Sequence, residues 1–237
     1  MSYINKYATE QNDVAIAAGR TGEPQIYTHG GESARGTITW ASIQTDTSTI
    51  TLNGVYVEFT TAASDGTAAG TVGDPLLVNI KGSLDLTLDE LVIVLNATAN
   101  ATIATATYAK SGTTILTITY DTRTASGNSF TLAASEGTVS AATLSGGYAD
   151  VAITLGTENI EINLTDASDN YFTLADAPKF TRKTIAMTTK STGNAIITPA
   201  NFTDGATITL DTALDYVQLQ FIGTAWKVVG TSVATIA

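Results

Sequence analysis

The chain has 237 residues, no cysteine and a net charge of −11, with 11 lysines and arginines against 22 aspartates and glutamates. The lack of cysteine excludes a disulfide framework and a thiol nucleophile, and the acidic balance argues against nucleic acid as a partner. Only 14 % of the residues are charged, whereas 44 are threonine and 34 are alanine. Because threonine is β-branched, this composition favours β-structure. No apolar run is long enough for a membrane span.

The first part of the chain, residues 1–35, shows no clear hydrophobic periodicity, and its apolar side chains are scattered among polar residues. The segment 36–43 then alternates as a strand does. We therefore predict that residues 1–45 form an extended N-terminal arm and a first strand, and that the arm is held either by the rest of the fold or by a partner chain. The predicted contact residues of the arm are Ile4, Tyr7, Val14, Ile16, Arg20 and Tyr27.

Residues 46–147 are predicted to form a small α+β domain, with one helix on an antiparallel sheet. Two alternating runs meet at Asn53-Gly54, which predicts a hairpin because these residues tolerate the positive φ angles of a type I′ turn. A helix is predicted to begin at Thr87, with Glu90 completing a capping box. A second hairpin and a further strand follow it.

Residues 148–237 are predicted to form a β-sandwich or barrel-like domain, because short alternating runs recur between Gly, Asn and Asp breaks. The last of these runs is a hairpin over 214–230. Its apolar side chains at Val217, Leu219 and Phe221 are expected to point inward, with Trp226 closing the core.

Two short motifs contain residue types that are found in catalytic or metal-binding sites. His29 is the only histidine, and the segment 28–33, THGGES, resembles an oxyanion-hole loop, but no GxSxG motif accompanies it. Asp166, Asp169 and Asn170 are close enough in sequence to share a calcium ion, although their spacing is not that of an EF-hand and such residues are ordinary turn formers. We predict no catalytic residue, no cofactor and no metal site, and therefore no enzyme.

Basic residues are concentrated in one stretch of the C-terminal domain. Lys179, Arg182 and Lys183 lie close together in an otherwise acidic chain, so we predict that they meet an acidic neighbour at an interface. The alternative is an ordinary solvated strand face.

Several segments resemble parts of tailed-bacteriophage virion proteins. Four segments are similar to a module of virion proteins: the hairpin ITLNGVYVEF (50–59), the helix TLDELVIVLNA (87–97), the hairpin TYAKSGTTILTITY (107–120) and SGNSFTLAAS (126–135). The two hairpins and the helix are also similar to parts of flagellin surface inserts. The stretch 193–230, which contains TITL and DYVQLQFIGTAWKVV, resembles the endings of phage fibre and head-decoration proteins.

The resemblance implies a structural protein made in the host cytoplasm and carried on the outside of the capsid. The implied partners are the major capsid protein or other virion proteins and further copies of this chain, a trimer being favoured, without nucleic acid or membrane. A tail component such as a fibre, sheath or adaptor subunit is the alternative within this class. A glycan-binding adhesion module is the alternative outside it, with exposed aromatic candidates at Tyr148, Tyr171, Phe172 and Tyr216.

Overall fold

The structure, a computed structural model, describes residues 24–232 and 234–237. These residues are mainly β with one α-helix, which confirms the predicted fold class. In chain order the elements are β1 (Gln25–Tyr27), β2 (Arg35–Thr39), β3 (Thr49–Leu52), β4 (Val55–Thr60), β5 (Leu76–Asn79), α1 (Leu84–Ala97), β6 (Ala106–Ser111), β7 (Ile115–Tyr120), β8 (Leu132–Ala134), β9 (Thr138–Val139), β10 (Val151–Ala152), β11 (Asn159–Asn163), β12 (Asn170–Leu174), β13 (Arg182–Thr189), β14 (Ala195–Pro199), β15 (Ile208–Leu210), β16 (Tyr216–Ile222), β17 (Ala225–Ser232) and β18 (Thr235–Ile236).

The described residues form two compact units. The middle unit is Ser33–Gly147, and the terminal unit combines residues 24–32 with Tyr148–Ala237. The predicted arm and first strand over 1–45 are therefore divided between the two units. Strand β1 pairs in parallel with β11 of the terminal unit, whereas β2 pairs with β7 and β9 of the middle unit.

The middle unit encloses its core between two four-stranded sheets and α1. One sheet has the order β6-β7-β2-β9 and the other the order β5-β4-β3-β8. Helix α1 packs against β5 and β6, the edge strands of the two sheets. The hairpin of β3 and β4 forms as predicted, with positive φ at Asn53 (47°) and Gly54 (83°).

Helix α1 begins earlier than its sequence predicts. Ser83 is the N-cap, and its hydroxyl accepts a hydrogen bond from the Leu86 amide at 3.3 Å. Thr87 is fully buried inside the helix, and its hydroxyl donates to the Ser83 carbonyl at 2.8 Å. Glu90 pairs with Lys81 at 3.4 Å instead of closing a capping box. The predicted capping box at Thr87 is therefore wrong, because an equally good cap lies one turn earlier.

The terminal unit consists of two five-stranded sheets that share one buried cluster. Sheet I has the order β1-β11-β13-β16-β17, and sheet II has the order β10-β12-β14-β15-β18. Alternate residues of both sheets enter the shared core, as in a β-sandwich. The final hairpin forms as predicted, with Val217, Leu219 and Trp226 fully buried and Phe221 5 % exposed. Trp226 also donates its indole N–H to the Ala175 carbonyl at 3.0 Å.

Part of the terminal unit is a pair of stacked coils. The chain passes from β11 in sheet I to β12 in sheet II, and then repeats the path through β13 and β14. Both parallel pairs keep an offset of 25 residues over most of their length, as in Ile160 with Ile185 and Phe172 with Ile197. The same offset joins Asp169, whose carboxylate accepts from the Asn194 amide at 2.9 Å. Equivalent side chains of successive coils therefore lie one above the other.

Candidate functional site

A polar cluster lies in the terminal unit where the first described segment meets β12. It consists of His29, Glu32 and Asp166, whose potential ligand atoms all lie within 4.8 Å of one another. His29 and Glu32 follow β1, and Asp166 lies in the turn before β12. We refer to these three residues as the polar cluster.

Two glycines bring the backbone of residues 29–32 close enough to form the cluster. A Cβ atom on Gly30 would lie 2.7 Å from the Tyr171 amide nitrogen, and one on Gly31 would lie 2.6 Å from the Asp150 Cα. Because such separations are below normal van der Waals contact, larger residues do not fit without backbone movement. The two glycines are thus required by close packing on both sides.

Asn170 is the buried centre around which the cluster is organised. It is fully buried, and its side-chain oxygen accepts a hydrogen bond from the Gly30 amide at 2.5 Å. Its amide nitrogen lies 2.7 Å from Asp166 Oδ1, 3.2 Å from Glu32 Oε1 and 2.9 Å from the Ser168 carbonyl. One side chain therefore holds one oxygen of each carboxylate and fixes the direction of both.

The contact between His29 and Asp166 closes the cluster. His29 Nδ1 lies 3.1 Å from Asp166 Oδ2, while the two side chains are 24 % and 22 % exposed. Both atoms are shielded from solvent, and neither has a partner in hydrogen-bond geometry. The ring of Tyr148 lies 5.9 Å from that of His29 and covers one side.

The cluster differs from the calcium site considered from the sequence. Asp169 is not a member, because its carboxylate accepts from the Asn194 amide in the next coil. His29 and Glu32 take its place, although they lie on the other side of the middle unit in sequence. Local spacing around Asp166 carries no signal of this pairing; only the isolated histidine beside two glycines pointed to the segment.

The predicted basic interface separates into a buried residue and two exposed ones. Lys183 is 1 % exposed, and its ammonium group donates to the carbonyls of Thr154, at 2.6 Å, and Thr157. Burial lowers the pKa of Lys183 to about 8, opposed by the nearby charge of Glu158. Lys183 is therefore a structural residue, whereas Lys179 and Arg182 are exposed.

Of the contact residues predicted in the N-terminal arm, only Tyr27 lies within the described residues. Tyr27 is 1 % exposed and packs edge-on against Phe172 at 5.9 Å, so it belongs to the core of the terminal unit and does not face a partner. The reason is that its strand adds to sheet I. Ile4, Tyr7, Val14, Ile16 and Arg20 lie outside the described residues.

The aromatic residues considered for glycan binding are also explained in part by packing. Phe172 is fully buried, so it cannot contact a sugar. Tyr148, Tyr171 and Tyr216 are half-buried. Tyr171 is in addition fixed by its backbone, which pairs with Gly31 in an antiparallel bridge.

The outward face of sheet II carries no charged side chain on its described strand positions. Its outward positions alternate with the buried residues of each strand and are aligned by the strand register. We call this the sheet II face, and its residues are Ala152, Tyr171, Thr173, Ile196, Thr198, Thr209 and Thr235. In contrast, the outward positions of sheet I include Glu161, Arg182 and Lys227.

No family model, curated protein or solved structure matches this chain. In the part of the chain that the structure describes, no helix has the length and apolar character needed to cross a membrane.

Proposed function

We propose that this chain is a structural protein of a tailed-bacteriophage virion, and that it decorates the outside of the capsid as a cement or head-fibre protein. Its partners in this proposal are the major capsid protein and further copies of the chain, in a homotrimer. The resemblance of residues 50–120 and 193–230 to virion proteins supplies the class of protein. The observation that carries the assembly role is the sheet II face.

The sheet II face favours assembly because of what it lacks. The chain has a net charge of −11, yet seven aligned outward positions on the sheet carry only hydroxyl, aromatic and aliphatic groups. Soluble domains ordinarily intersperse charges over their surfaces, whereas the centres of protein interfaces are depleted of charge. A face of this composition suits contact with another protein more than contact with water.

Two lysines that are buried or paired have structural roles that fit an assembly protein. Lys183 binds backbone carbonyls, and Lys110 pairs with Asp85 and Asp89 at 2.6 Å each. Repeated weak contacts of many copies on a rigid shell add to strong attachment. An assembly protein of this kind needs regular surfaces and no reaction centre.

The proposal is tested on purified particles of the phage that encodes the chain. Quantitative mass spectrometry is expected to find the protein at hundreds of copies per particle, and labelling with an antibody is expected to mark the head. A handful of copies located at the tail would replace the decoration role by that of a tail component. Absence from purified particles would contradict the virion role altogether.

The anchoring role of the N-terminal arm is tested with a truncation that keeps every described strand. Removal of residues 1–23 leaves β1 and Tyr27 in place, so we expect the variant to keep its melting temperature and to lose binding to particles stripped of the protein. Removal of residues 1–30 would also delete β1 and the buried Tyr27 ring. It therefore serves as the control for damage to the core. Full binding by the shorter truncation would overturn the anchor assignment.

A further inference from the structure

We infer that the polar cluster is a binding site for a divalent first-row transition cation of the Zn²⁺ type, held by His29, Glu32 and Asp166. The inference concerns the terminal unit alone and does not depend on the virion role. One imidazole nitrogen and two carboxylates form a mixed nitrogen and oxygen set, which suits Zn²⁺ and similar ions. Ca²⁺ and Mg²⁺ prefer sites made of oxygen ligands only.

The separation of His29 from Asp166 fits two ligands of one ion. Two ligand atoms at about 2.1 Å from a cation lie about 3.0 Å apart at a right angle and about 3.4 Å apart at the tetrahedral angle. The observed distance from His29 Nδ1 to Asp166 Oδ2 is 3.1 Å. Small side-chain rotations bring Glu32 to the same centre, since all three ligand atoms lie within 4.8 Å of one another.

A second observation distinguishes the cluster from an ordinary group of surface charges. His29 Nδ1 and Asp166 Oδ2 are shielded from solvent, and neither forms a hydrogen bond despite their short separation. Buried polar atoms are almost always satisfied in folded proteins. A cation between the two atoms satisfies both of them at once, whereas a direct hydrogen bond does not have the required geometry here.

The surroundings supply the support that metal ligands need. Asn170, which is fully buried, donates to Asp166 Oδ1 and Glu32 Oε1 and so fixes both carboxylates, while Asp166 Oδ2 remains for the ion. Hydrogen bonds of this kind orient ligating carboxylates in metalloproteins. Without a cation, two carboxylates bound to the same amide repel each other, a cost that a dication removes.

The ion would fasten two distant parts of the chain. Glu32 and Asn170 are 138 residues apart in sequence, and the entire middle unit lies between them. The chain has no cysteine and therefore no disulfide with which to make this link. A metal ion bound by the folded state and not by the unfolded chain raises the free energy of unfolding, by an amount that grows with the logarithm of the ion concentration above its dissociation constant.

The experiment measures metal binding on the full chain after treatment with a chelator. Addition of Zn²⁺ is expected to raise the melting temperature by about 5 °C or more, and titration calorimetry is expected to give one site per chain. Co²⁺ is expected to bind in its place and to give visible absorption bands. Ca²⁺ and Mg²⁺ at the same concentration are expected to leave the melting temperature unchanged.

Two variants and a matched control locate the site. Asp166→Asn keeps the oxygen that accepts from Asn170 and removes the charge, and His29→Ala removes the nitrogen ligand; both are expected to abolish the effect of Zn²⁺. Asp169→Asn, in the same turn, is expected to respond as the wild type does. A Zn²⁺ effect that survives in both cluster variants would overturn the site. So would a wild-type chain that ignores Zn²⁺ while His29→Ala loses stability without metal, since the cluster would then be a plain ion pair.

Discussion

Lys183 shows how one residue can have a role opposite to the one its sequence suggests. It lies in the most basic stretch of an acidic chain, where solvent exposure is the expectation, yet it is 1 % exposed. Strand alternation explains the difference, because Arg182 and Thr184 point outward on β13 and Lys183 between them points inward. Its ammonium group then satisfies the carbonyls of Thr154 and Thr157, which have no strand partner there.

Replacement of this lysine tests the structural role. Lys183→Met is expected to lower the free energy of unfolding by about 1–3 kcal/mol, because two partly buried carbonyl groups lose their donor. Chemical denaturation monitored by tryptophan fluorescence measures the change. Lys179→Met, at an exposed position nearby, is the matched control and is expected to have little effect. Equal stability of the two variants would show that Lys183 does not stabilise the fold.

The same residue predicts a dependence of stability on pH. The pKa of Lys183 is about 8 in the folded chain, against an ordinary value of 10.5. Below pH 8 both states are protonated and the folded state bears the cost of a buried charge. Between pH 8 and 10.5 the unfolded chain binds more protons, so stability rises with pH. Melting curves from pH 7.5 to 9.5 are expected to show this rise in the wild type and not in Lys183→Met.

At the scale of the element, turn residues and alternation predicted the hairpins, whose contacts are local in sequence. The Asn53-Gly54 hairpin and the hairpin over 214–230 form as expected, since a turn and its two adjacent strands are all within a few residues. Strand β1 has no such signal. It is three residues long and pairs in parallel with β11, far along the chain, so no pattern within residues 24–28 announces it.

Helix α1 offers a test of which residue caps it. Ser83→Ala is expected to lower the stability of the middle unit by about 1 kcal/mol, because the Leu86 amide loses its side-chain acceptor. Thermal unfolding followed by circular dichroism gives the value. Ser42→Ala, at an exposed position of the same unit, is the control and should change nothing measurable. No loss in Ser83→Ala would mean that the cap contributes nothing to the helix.

For the whole molecule, composition and alternation predicted a mainly β chain but not the partners of its strands. The parallel coils are hard to recognise in the sequence because not all aligned residues are alike: Ile160 pairs with Ile185, but Asn170 pairs with Ala195 and Leu174 with Pro199. The polar cluster is hard to recognise for a related reason. The pairing of β1 with sheet I brings the members of the cluster together, and no spacing in the sequence encodes that pairing.

The sheet II face carries the prediction that belongs to this scale. Thr198→Lys places a charge at an exposed position in its middle, and we expect the variant to fold normally but to lose assembly into a trimer. Light scattering measures the mass of the assembly, and circular dichroism checks the fold. Thr231→Lys, exposed on β17 of sheet I, is the matched control and should assemble. A Thr198→Lys variant that assembles as well as the control would exclude this face from the interface.

The 25-residue offset of the stacked coils makes the terminal unit extensible in whole steps. A duplicated copy of residues 157–181 inserted before β13 would add one strand to sheet I and one to sheet II while keeping the 25-residue offset and every side chain on its own face. Each such copy would lengthen the stack by about 4.8 Å, the spacing between neighbouring strands. Insertions that change the offset by an odd number of residues would turn core residues outward. The length of the terminal unit can thus change in steps of one whole coil.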